Sequence, residues 1–482
     1  MNSDIDLNKC IKRIKIISYE YGGRNSMMDA VTLLEKQRKY FKTGATKSLA
    51  FRKARLGELK MAIKEMEGEI LEALQKDLNK SSFEAYATEI GIVLEEINFM
   101  MKHMERLLKV KTVRTPITQF PSVSKIYKEP YGLVLIIAPW NYPFQLAIAP
   151  LIGAIACGNC SIIKPSNYSP ATSAVIKKLI SKTFSKAFVA VVEGGREVNQ
   201  SLLDQKFDLI FFTGSVGVGK IVMEKAAKHL TPVILELGGK SPCIVDETAD
   251  IKLAGKRIAW GKCLNAGQTC VAPDYLVVHK SVKEKLIKEI IKNTEKFYSN
   301  KQEENHDFPK IITRKHFVRL KNLIQTGEIV YGGDFNEQTN QISLTIMDHV
   351  TWEDEVMKEE IFGPILPIID YEDPEEFISL INNRPKPLAL YLFTKSKKME
   401  QRIIKEISYG GGCINDTIIH LATSYMGFGG VGESGMGEYH GAASIKAFSH
   451  RKSVLRKSNL IDIPLRYPPY QNHLKWLKKI MK

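Results

Sequence analysis

The sequence lacks the long apolar runs and the paired cysteines that mark two large classes of protein. No stretch approaches the roughly 18 consecutive apolar residues that a membrane-spanning helix needs. Residues 14–19 are too short and too polar for the apolar region of a secretion signal. The cysteines number seven, an odd count with no repeated spacing, which does not indicate a disulfide scaffold. We therefore expect a cytoplasmic protein in a reducing compartment.

Patterns typical of metal sites and of nucleic-acid binding are also missing. There is no His-Glu-x-x-His, and the single C-x-x-C (Cys157, Cys160) has no second pair, which favours two core thiols and no metal site. The net charge of +16 is compatible with a nucleic-acid ligand. However, acidic residues alternate with the lysines, as in 60–72, and no basic run carries interleaved aromatic residues. We predict solvated helix faces and no nucleic-acid partner.

The first residues prompt a hypothesis about where translation starts. Met27 and Met28 precede the first helical pattern, and Gly22-Gly23 would be encoded by a purine-rich stretch that resembles a ribosome-binding site. On this hypothesis, residues 1–26 are an extension that is not translated. The intact mass of the native protein tests it, because a mass that includes these residues would rule it out.

The whole chain has 44% hydrophobic residues, and beyond its first residues it alternates between strand-like and helical patterns. We predict one long helix over 84–109 and a β-ribbon over 112–129, where prolines interrupt alternating apolar residues. Continuous apolar runs that alternate with helices are typical of parallel strands covered on both faces, so we predict a doubly wound, Rossmann-like α/β fold. A second α/β segment runs from 238 to 419. The runs that carry the first prediction are 133–138, 161–164, 188–192 and 208–213.

Polar and glycine-rich residues follow these strands, at the edge where such sheets bind ligands. Lys164 ends an apolar strand, where a buried charge needs a partner. A glycine-rich turn follows a later strand and opens a helix, which suits either a phosphate or close packing, and we leave both open. Its pattern is close to a P-loop, but Ile221 replaces the hydroxyl that binds magnesium, so a nucleotide hydrolase is the weaker alternative. The turn comprises Gly214, Ser215, Val216, Gly217, Val218 and Gly219.

Three further residues have the chemistry needed for covalent catalysis. Cys270 is a candidate nucleophile, and Glu236, 34 residues earlier (270 − 236), is a candidate general base. Asn141 lies in a Pro-Trp-Asn-Tyr-Pro turn, where its amide could bind an oxyanion or simply close the turn. An isolated intracellular cysteine is more often a core thiol, so these residues alone decide nothing.

Taken in order, the motifs resemble those of the aldehyde dehydrogenase superfamily over about residues 27–452. Residues 434–441 and 462–470 are similar to its class-three subgroup, which favours medium- and long-chain aliphatic and aromatic aldehydes and is typically dimeric. The resemblance rests on a late glycine-rich run and on APWNYP (138–143), IKPS (163–166), FTGS (212–215), LELGGK (235–240), NAGQTC (265–270) and EIFGP (360–364).

The resemblance implies a division of the chain and a homodimer. It places a NAD(P)-binding domain at 27–111 with 131–236, and a catalytic domain at 237–419. A small β arm for oligomerisation, with a C-terminal tail, would comprise 112–130 and 420–482.

The resemblance also implies roles for single residues. Cys270 would attack the aldehyde, the Asn141 amide and the Cys270 backbone N–H would bind the oxyanion, and Glu236 would activate the water that hydrolyses the thioester. On the cofactor, Lys164 and Glu360 would hold ribose hydroxyls, Phe362 would pack near the nicotinamide ribose, and the turn 214–219 would lie alongside. The family often has Glu three residues after the strand-end lysine, where this chain has Asn167. A neutral amide does not repel a 2′-phosphate, so we predict that NADP is accepted alongside NAD.

Two alternatives and one surface remain open. A transferase that passes the acyl group to coenzyme A would share the thioester, although Glu236 favours water as the acceptor. A binding module without activity is the other alternative. The last residues form a short basic amphipathic segment with Trp476, which is either a docked tail or a weak contact with an anionic membrane surface.

Overall fold

Parallel strands and the helices that cover them account for most of the chain. The computed structural model describes residues 30–470 and 473–481, so the hypothesis on residues 1–26 lies outside the described part. The first described helix covers 30–42. The α-helices that follow are Leu49–Glu65, Glu67–Leu78, Ser82–Ala85, Gly91–Leu108, Gln145–Cys157, Pro170–Thr183, Arg196–Leu203, Val216–Ala227, Ile251–Cys263, Lys283–Tyr298, Arg314–Ile324, Glu355–Lys358, Pro374–Asn382, Lys397–Glu406, Gly441–Ala447 and His473–Ile480.

The first sheet has six strands. Five of them are parallel, and the short edge strand Gly435–Met436 runs antiparallel to its neighbour. The predicted strands are therefore confirmed, and so is the doubly wound arrangement, because helices follow the strands in sequence. In spatial order the strands are Gly435–Met436, Val233–Glu236, Leu209–Thr213, Leu133–Ile137, Cys160–Lys164 and Val189–Val191.

The second sheet has seven strands and forms the α/β segment predicted after residue 238. All neighbours are parallel except the edge strand Glu328–Tyr331. In spatial order its strands are Glu328–Tyr331, Thr345–Asp348, Ile365–Tyr371, Tyr275–His279, Pro242–Val245, Ala389–Phe393 and Gly411–Ile414. A two-stranded ribbon, Phe335–Asn336 with Gln341–Ile342, adjoins it in sequence.

A third, antiparallel sheet contains the predicted β-ribbon. Ser122–Pro130 pairs along all nine of its residues with Ser449–Lys457, and Lys111–Val113 pairs on its other side. Most of Ser449–Lys457 is exposed, including Val454 and Leu455.

Burial explains why the central strands are so uniformly apolar. Every residue of Leu133–Ile137 is buried, because the strand has neighbours on both edges and covered faces on both sides. The helix Gln145–Cys157 is also buried at every position and therefore has no polar face. It ends at Gly158, which has a φ of +87°, and a Cβ there would lie 2.6 Å from the Arg52 guanidinium. Glycine allows Arg52 to donate to the carbonyl of Ala156 at the helix end.

The predicted long helix over 84–109 differs in one respect. Tyr86–Ile90 forms a π-turn between Ser82–Ala85 and Gly91–Leu108, so the path is helical but not regular. Such single π-turns contain an extra residue and are frequent at functional sites. The π-turn changes which side chains of this segment face the interior.

No helix in the described ranges is both long and apolar enough to cross a membrane.

Candidate active site

The carboxyl ends of the central strands bring the predicted residues to one edge of the first sheet. Ile137 pairs in register with Lys164 and with Phe212, and Thr213 pairs with Glu236. The segments that follow these strand ends therefore lie side by side, as the α/β architecture requires.

Cys270 ends a loop, residues 264–270, that we call the nucleophile loop. Asn265, Ala266 and Gly267 all have left-handed backbone angles, with φ values of 52°, 51° and 69°. Each such residue other than glycine costs of order 1–2 kcal/mol, so surrounding contacts must hold the loop. Gly267 cannot be replaced freely, because a Cβ there would lie 2.3 Å from the carbonyl oxygen of Gly363.

Gln268 supplies several of the contacts that hold the loop. Its side chain is fully buried and donates to the carbonyls of Asn265 and Lys310, both at 3.0 Å. Its Oε1 accepts the N–H of Ile312 at 3.1 Å. The hydroxyl of the next residue, Thr269, lies 2.7 Å from the hydroxyl of Tyr142. Gln268 and Thr269 therefore attach the loop to residues 310–312 and to Tyr142.

Asn141 is buried beside this loop. Its Nδ2 donates to the Gln268 carbonyl at 3.0 Å, and its own carbonyl accepts from the Asn265 amide at 2.8 Å. A carboxamide carries two N–H donors, and the bond to Gln268 uses one. The second N–H can donate to a further acceptor.

A buried ion pair fixes the position of the Asn141 turn. The ammonium of Lys80 lies 2.6 Å from Glu89, and both side chains are inaccessible to solvent. Lys80 also donates to the Asn141 carbonyl at 3.0 Å and lies 3.9 Å from the ring centre of Tyr142. The other carboxylate oxygen of Glu89 accepts the backbone N–H of Phe144 at 2.8 Å, at the start of the helix that follows the turn. Three interactions of one cation therefore hold the turn that carries Asn141.

Cys270 and Glu236 share one electrostatic environment. Burial raises the pKa of the Cys270 thiol far above its usual value, and the carboxyls of Glu360 and Glu236 add to this effect. Glu236 is 2% exposed, and neither of its carboxyl oxygens has a hydrogen-bond partner among the described residues. Burial, assisted by Glu438, raises the pKa of Glu236 well above its usual range. Both shifts favour the neutral forms of the two residues.

Glu360 and Phe362 lie on the loop that precedes the strand Ile365–Tyr371 of the second sheet. The N–H of Ile361 donates to Asp274 at 3.0 Å, and Asp274 in turn pairs with Lys240 at 2.6 Å. A Cβ on Gly238 would lie 2.0 Å from a carboxyl oxygen of Glu360, so a side chain there would displace this carboxyl. Burial raises the pKa of Glu360 to about 8, with a further contribution from Asp274.

The aromatic ring of Phe362 contacts the Asn141 turn. Its backbone has a φ of 50°, and its ring centre lies 5.3 Å from that of Trp140 in an edge-to-face arrangement. The loop of Glu360 and the turn of Asn141 therefore meet next to the sheet edge.

Lys164 and the glycine-rich turn lie at the same edge. Lys164 is 2% exposed, and burial lowers its pKa to about 8. Val216–Ala227 begins after Ser215, and a Cβ on Gly217 would meet no atom within 4 Å. By contrast, a Cβ on Gly219 would lie 2.6 Å from the Leu237 side chain. The two interpretations of the turn therefore apply to different residues. Gly219 allows close packing against Leu237, whereas the open space at Gly217 is compatible with a ligand at the helix N-terminus.

Sequence reasoning missed the residues that support this site. Asp274, Gln268, Lys80 and Glu89 were not singled out, although Gln268 lies within a motif. Their partners are up to 127 residues away in sequence, as for Asn141 and Gln268, and no local pattern reports such a pairing. Among the described residues, no group of three or more His, Cys, Asp or Glu side chains is placed to hold a metal ion.

The chain belongs to the aldehyde dehydrogenase family, whose sequence profile matches residues 8–454. It is 51% identical to 4,4′-diaponeurosporen-aldehyde dehydrogenase of Staphylococcus aureus, over 92% of this chain and 97% of that one. It is 43% identical to aldehyde dehydrogenase family 3 member A2 of Mus musculus, over 92% of each chain. A solved structure of the substrate-bound state of Staphylococcus aureus AldH superposes with a TM-score of 0.92 at 50% identity, covering 94% of this chain and 99% of that one. The predicted class-three resemblance is thereby confirmed.

The buried pair generates a prediction for stability. Replacing Lys80 with Met leaves Glu89 as an uncompensated buried charge, which costs about 3–5 kcal/mol in the free energy of unfolding. Urea denaturation measures this loss. The control is Lys53→Met, which breaks an exposed pair with Glu105 at 3.0 Å and should change stability by about 0.5 kcal/mol or less. Equal effects of the two substitutions would contradict the role given to Lys80.

Proposed function

We propose that the protein oxidises aldehydes to carboxylic acids with NAD or NADP, using Cys270 as nucleophile and Glu236 as general base. The observation that supports it most directly is the arrangement around the nucleophile loop. There the Asn141 amide bonds to the loop carbonyl of Gln268 at 3.0 Å, and Glu236 is close enough to Cys270 to raise the pKa of its thiol. A nucleophile, an oxyanion donor and a base within one buried site are the parts that acyl chemistry needs.

The first half of the reaction forms a thioester. The Cys270 thiol releases its proton to solvent, and its Sγ attacks the carbonyl carbon of the aldehyde, so the C=O π bond breaks and the carbonyl oxygen becomes an oxyanion. The second Asn141 N–H and the backbone N–H of Cys270 donate to that oxygen. A nicotinamide cofactor bound beside Cys270 would supply the hydride acceptor that this oxidation needs, and the substrate carbon would remain attached to Cys270 as a thioester.

The second half of the reaction hydrolyses this thioester. Glu236 removes a proton from a water molecule, the water oxygen attacks the thioester carbon, and the C–S bond breaks to return Cys270 and release the acid. Because the pKa of Glu236 is raised, its carboxylate is a stronger base than that of an exposed glutamate. We expect hydrolysis to accelerate as the pH rises towards the pKa of Glu236.

The proposed cofactor site fits the residues at the sheet edge. The buried Lys164 ammonium suits ribose hydroxyls or phosphate, and the open helix N-terminus at Gly217 suits an anionic group. The proposed site comprises Lys164, Gly214, Ser215, Val216, Gly217, Val218, Gly219, Glu360 and Phe362. In the same proposal, 27–111 with 131–236 bind the cofactor, 237–419 carry the nucleophile, and 112–130 with 420–482 form the arm and tail.

Cofactor selectivity provides the first test. Asn167 is exposed and carries no charge, so we expect NADP and NAD to support turnover with kcat/KM values within about a hundredfold of each other. A panel of medium- and long-chain aliphatic and aromatic aldehydes, followed by absorbance of the reduced cofactor, measures this. Asn167→Glu should reduce kcat/KM with NADP about tenfold or more, because a carboxylate repels the 2′-phosphate, and should leave NAD turnover nearly unchanged. Inactivity of the wild-type protein with every aldehyde would refute the proposed function.

The roles of Cys270 and Glu236 are separated by pre-steady-state kinetics. Glu236→Gln should slow hydrolysis about 10²–10⁴-fold yet still release one equivalent of reduced cofactor in a burst. Cys270→Ser should lose both the burst and turnover, and Asn141→Ala should slow the burst about 10²–10³-fold. Absence of the burst in a folded Glu236→Gln enzyme would show that the base has been assigned wrongly.

We also propose a homodimer that uses the antiparallel arm. Ser449–Lys457 exposes 39% of Val454 and 46% of Leu455, which would be covered if the arm packs on a second copy. Sedimentation should show a species of twice the chain mass, and a monomer at micromolar concentration would contradict this proposal.

The C-terminal helix supports a weak contact with anionic membranes. His473–Ile480 exposes 42% of Leu477 and 43% of Ile480, and helical spacing places these two residues on the side opposite Lys475, Lys478 and Lys479. We expect the protein to sediment with phosphatidylserine-containing vesicles at low salt and to be released at high salt. A Leu474→Glu/Leu477→Glu variant is the control and should remain in solution. Equal behaviour of wild type and variant would leave the helix without this role.

A further inference from the structure

Glu84 is a buried carboxylate that the proposed reaction does not use. It lies on the short helix Ser82–Ala85, directly before the π-turn, and is 7% exposed. Its Oε1 accepts the backbone N–H of Asn265 at 2.9 Å, across 181 residues of sequence. Glu84 therefore contacts the nucleophile loop at its first left-handed residue.

The geometry of the loop makes this contact consequential. Asn265 and Ala266 occupy a conformation that non-glycine residues rarely adopt, and the strain must be offset by fixed neighbours. The N–H of Asn265 is buried, and a buried N–H without an acceptor is costly. On the side-chain end of the same residue, Nδ2 donates to the carbonyls of Asn141 and Gln268. Asn265 is thus held at two ends, by Glu84 and by the oxyanion turn.

We propose that Glu84 is a positioning residue for Cys270: its carboxylate anchors Asn265 and thereby holds the nucleophile loop in its reactive conformation. This inference rests on the proposed function, since it specifies how that nucleophile is set. Glu84 acts through the loop and does not itself contact the substrate.

The charge of Glu84 gives the anchor a pH dependence. Burial raises the pKa of Glu84 to about 7, while Lys80 and the Asn265 N–H lower it and the carboxyls of Glu89 and Asp307 raise it. The other titratable groups whose pKa responds to Glu84 are Tyr142, Tyr298 and Cys263. Above about pH 7 the carboxylate accepts a charge-assisted hydrogen bond from Asn265, and below it the protonated form is a weaker acceptor. The anchor therefore strengthens as the pH rises through neutrality.

The test compares Glu84→Gln and Glu84→Ala with the wild-type protein. The amide of Gln keeps an acceptor for Asn265 but no charge, so this variant corresponds to the protonated form of Glu84. We expect the ratio of wild-type to Glu84→Gln burst rates to rise about tenfold between about pH 6 and pH 8. Glu84→Ala leaves the N–H without an acceptor and should slow the burst about 10- to 100-fold with little change in the KM for the cofactor.

A second readout is independent of any aldehyde. Iodoacetamide labelling of Cys270, quantified by peptide mass spectrometry against the partly exposed Cys413, reports on the loop directly. The ratio of the two labelling rates should depend on pH through neutrality in the wild type but not in Glu84→Gln. The matched control is Glu96→Gln, because Glu96 is also buried but bonds to Ser424 and Gly441 instead of the loop. This control should behave like the wild type.

These measurements separate the two proposals. If the wild-type protein oxidises no aldehyde, the proposed function fails and the labelling ratio still decides the role of Glu84. If burst and labelling ratios of wild type to Glu84→Gln stay constant with pH, Glu84 does not position the loop. If Glu84→Ala does not fold, the Glu84→Gln comparison alone decides. A folded Glu84→Ala protein within about twofold of wild type in both readouts would overturn the inference.

Discussion

The ammonium group of Lys80 is the constraint on which the geometry of the site depends. Removing a charge from water is expensive, and the protein offsets that cost only because Glu89, the Asn141 carbonyl and the Tyr142 ring surround the same cation. Glu89 simultaneously accepts backbone N–H groups at the start of the helix that follows the Asn141 turn. A displacement of the turn would leave the cation or the helix end without a partner, and this cost holds Asn141 in place.

The nucleophile loop is also held by contacts that offset an unfavourable state, which in this case is backbone strain and not a buried charge. Its consecutive left-handed residues are unfavourable in isolation, and they persist because Gln268 and Glu84 satisfy the polar groups around them. Gly267 lies so close to the carbonyl of Gly363 that the nucleophile loop cannot shift at this point unless the Glu360 segment moves with it. The loop that ends at Cys270, the turn of Asn141 and the Glu360 segment are therefore coupled through buried hydrogen bonds and one close backbone contact, which tolerate little independent movement.

The fold was more predictable from the sequence than the supports of the site. Strands such as Leu133–Ile137 are apolar at every position because they are buried on both faces, and that composition is visible locally. Cys270, Glu236 and Asn141 lie in short motifs at strand ends and turns, which are also local. Lys80 is different, because as a sequence feature it is one lysine among many, and only the folded chain brings it to Asn141, 61 residues away. The two-residue strand Gly435–Met436 carries no periodicity at all, and the pKa of Cys270 is raised by burial and further by carboxyls that are distant in sequence.

The π-turn at Tyr86–Ile90 has a consequence for the angular phase of the segment. Along a regular helix each residue turns the chain by about 100°, so one extra residue rotates everything beyond it relative to everything before it. Glu84 precedes this phase shift and Glu89 lies within it, yet both carboxylates point inward, one to the nucleophile loop and the other to Lys80. A regular helix of the same length would direct one of them away from the interior. The extra residue of the π-turn therefore sets the angle between Glu84 and Glu89 around the helix axis. That angle allows both carboxylates to reach the interior.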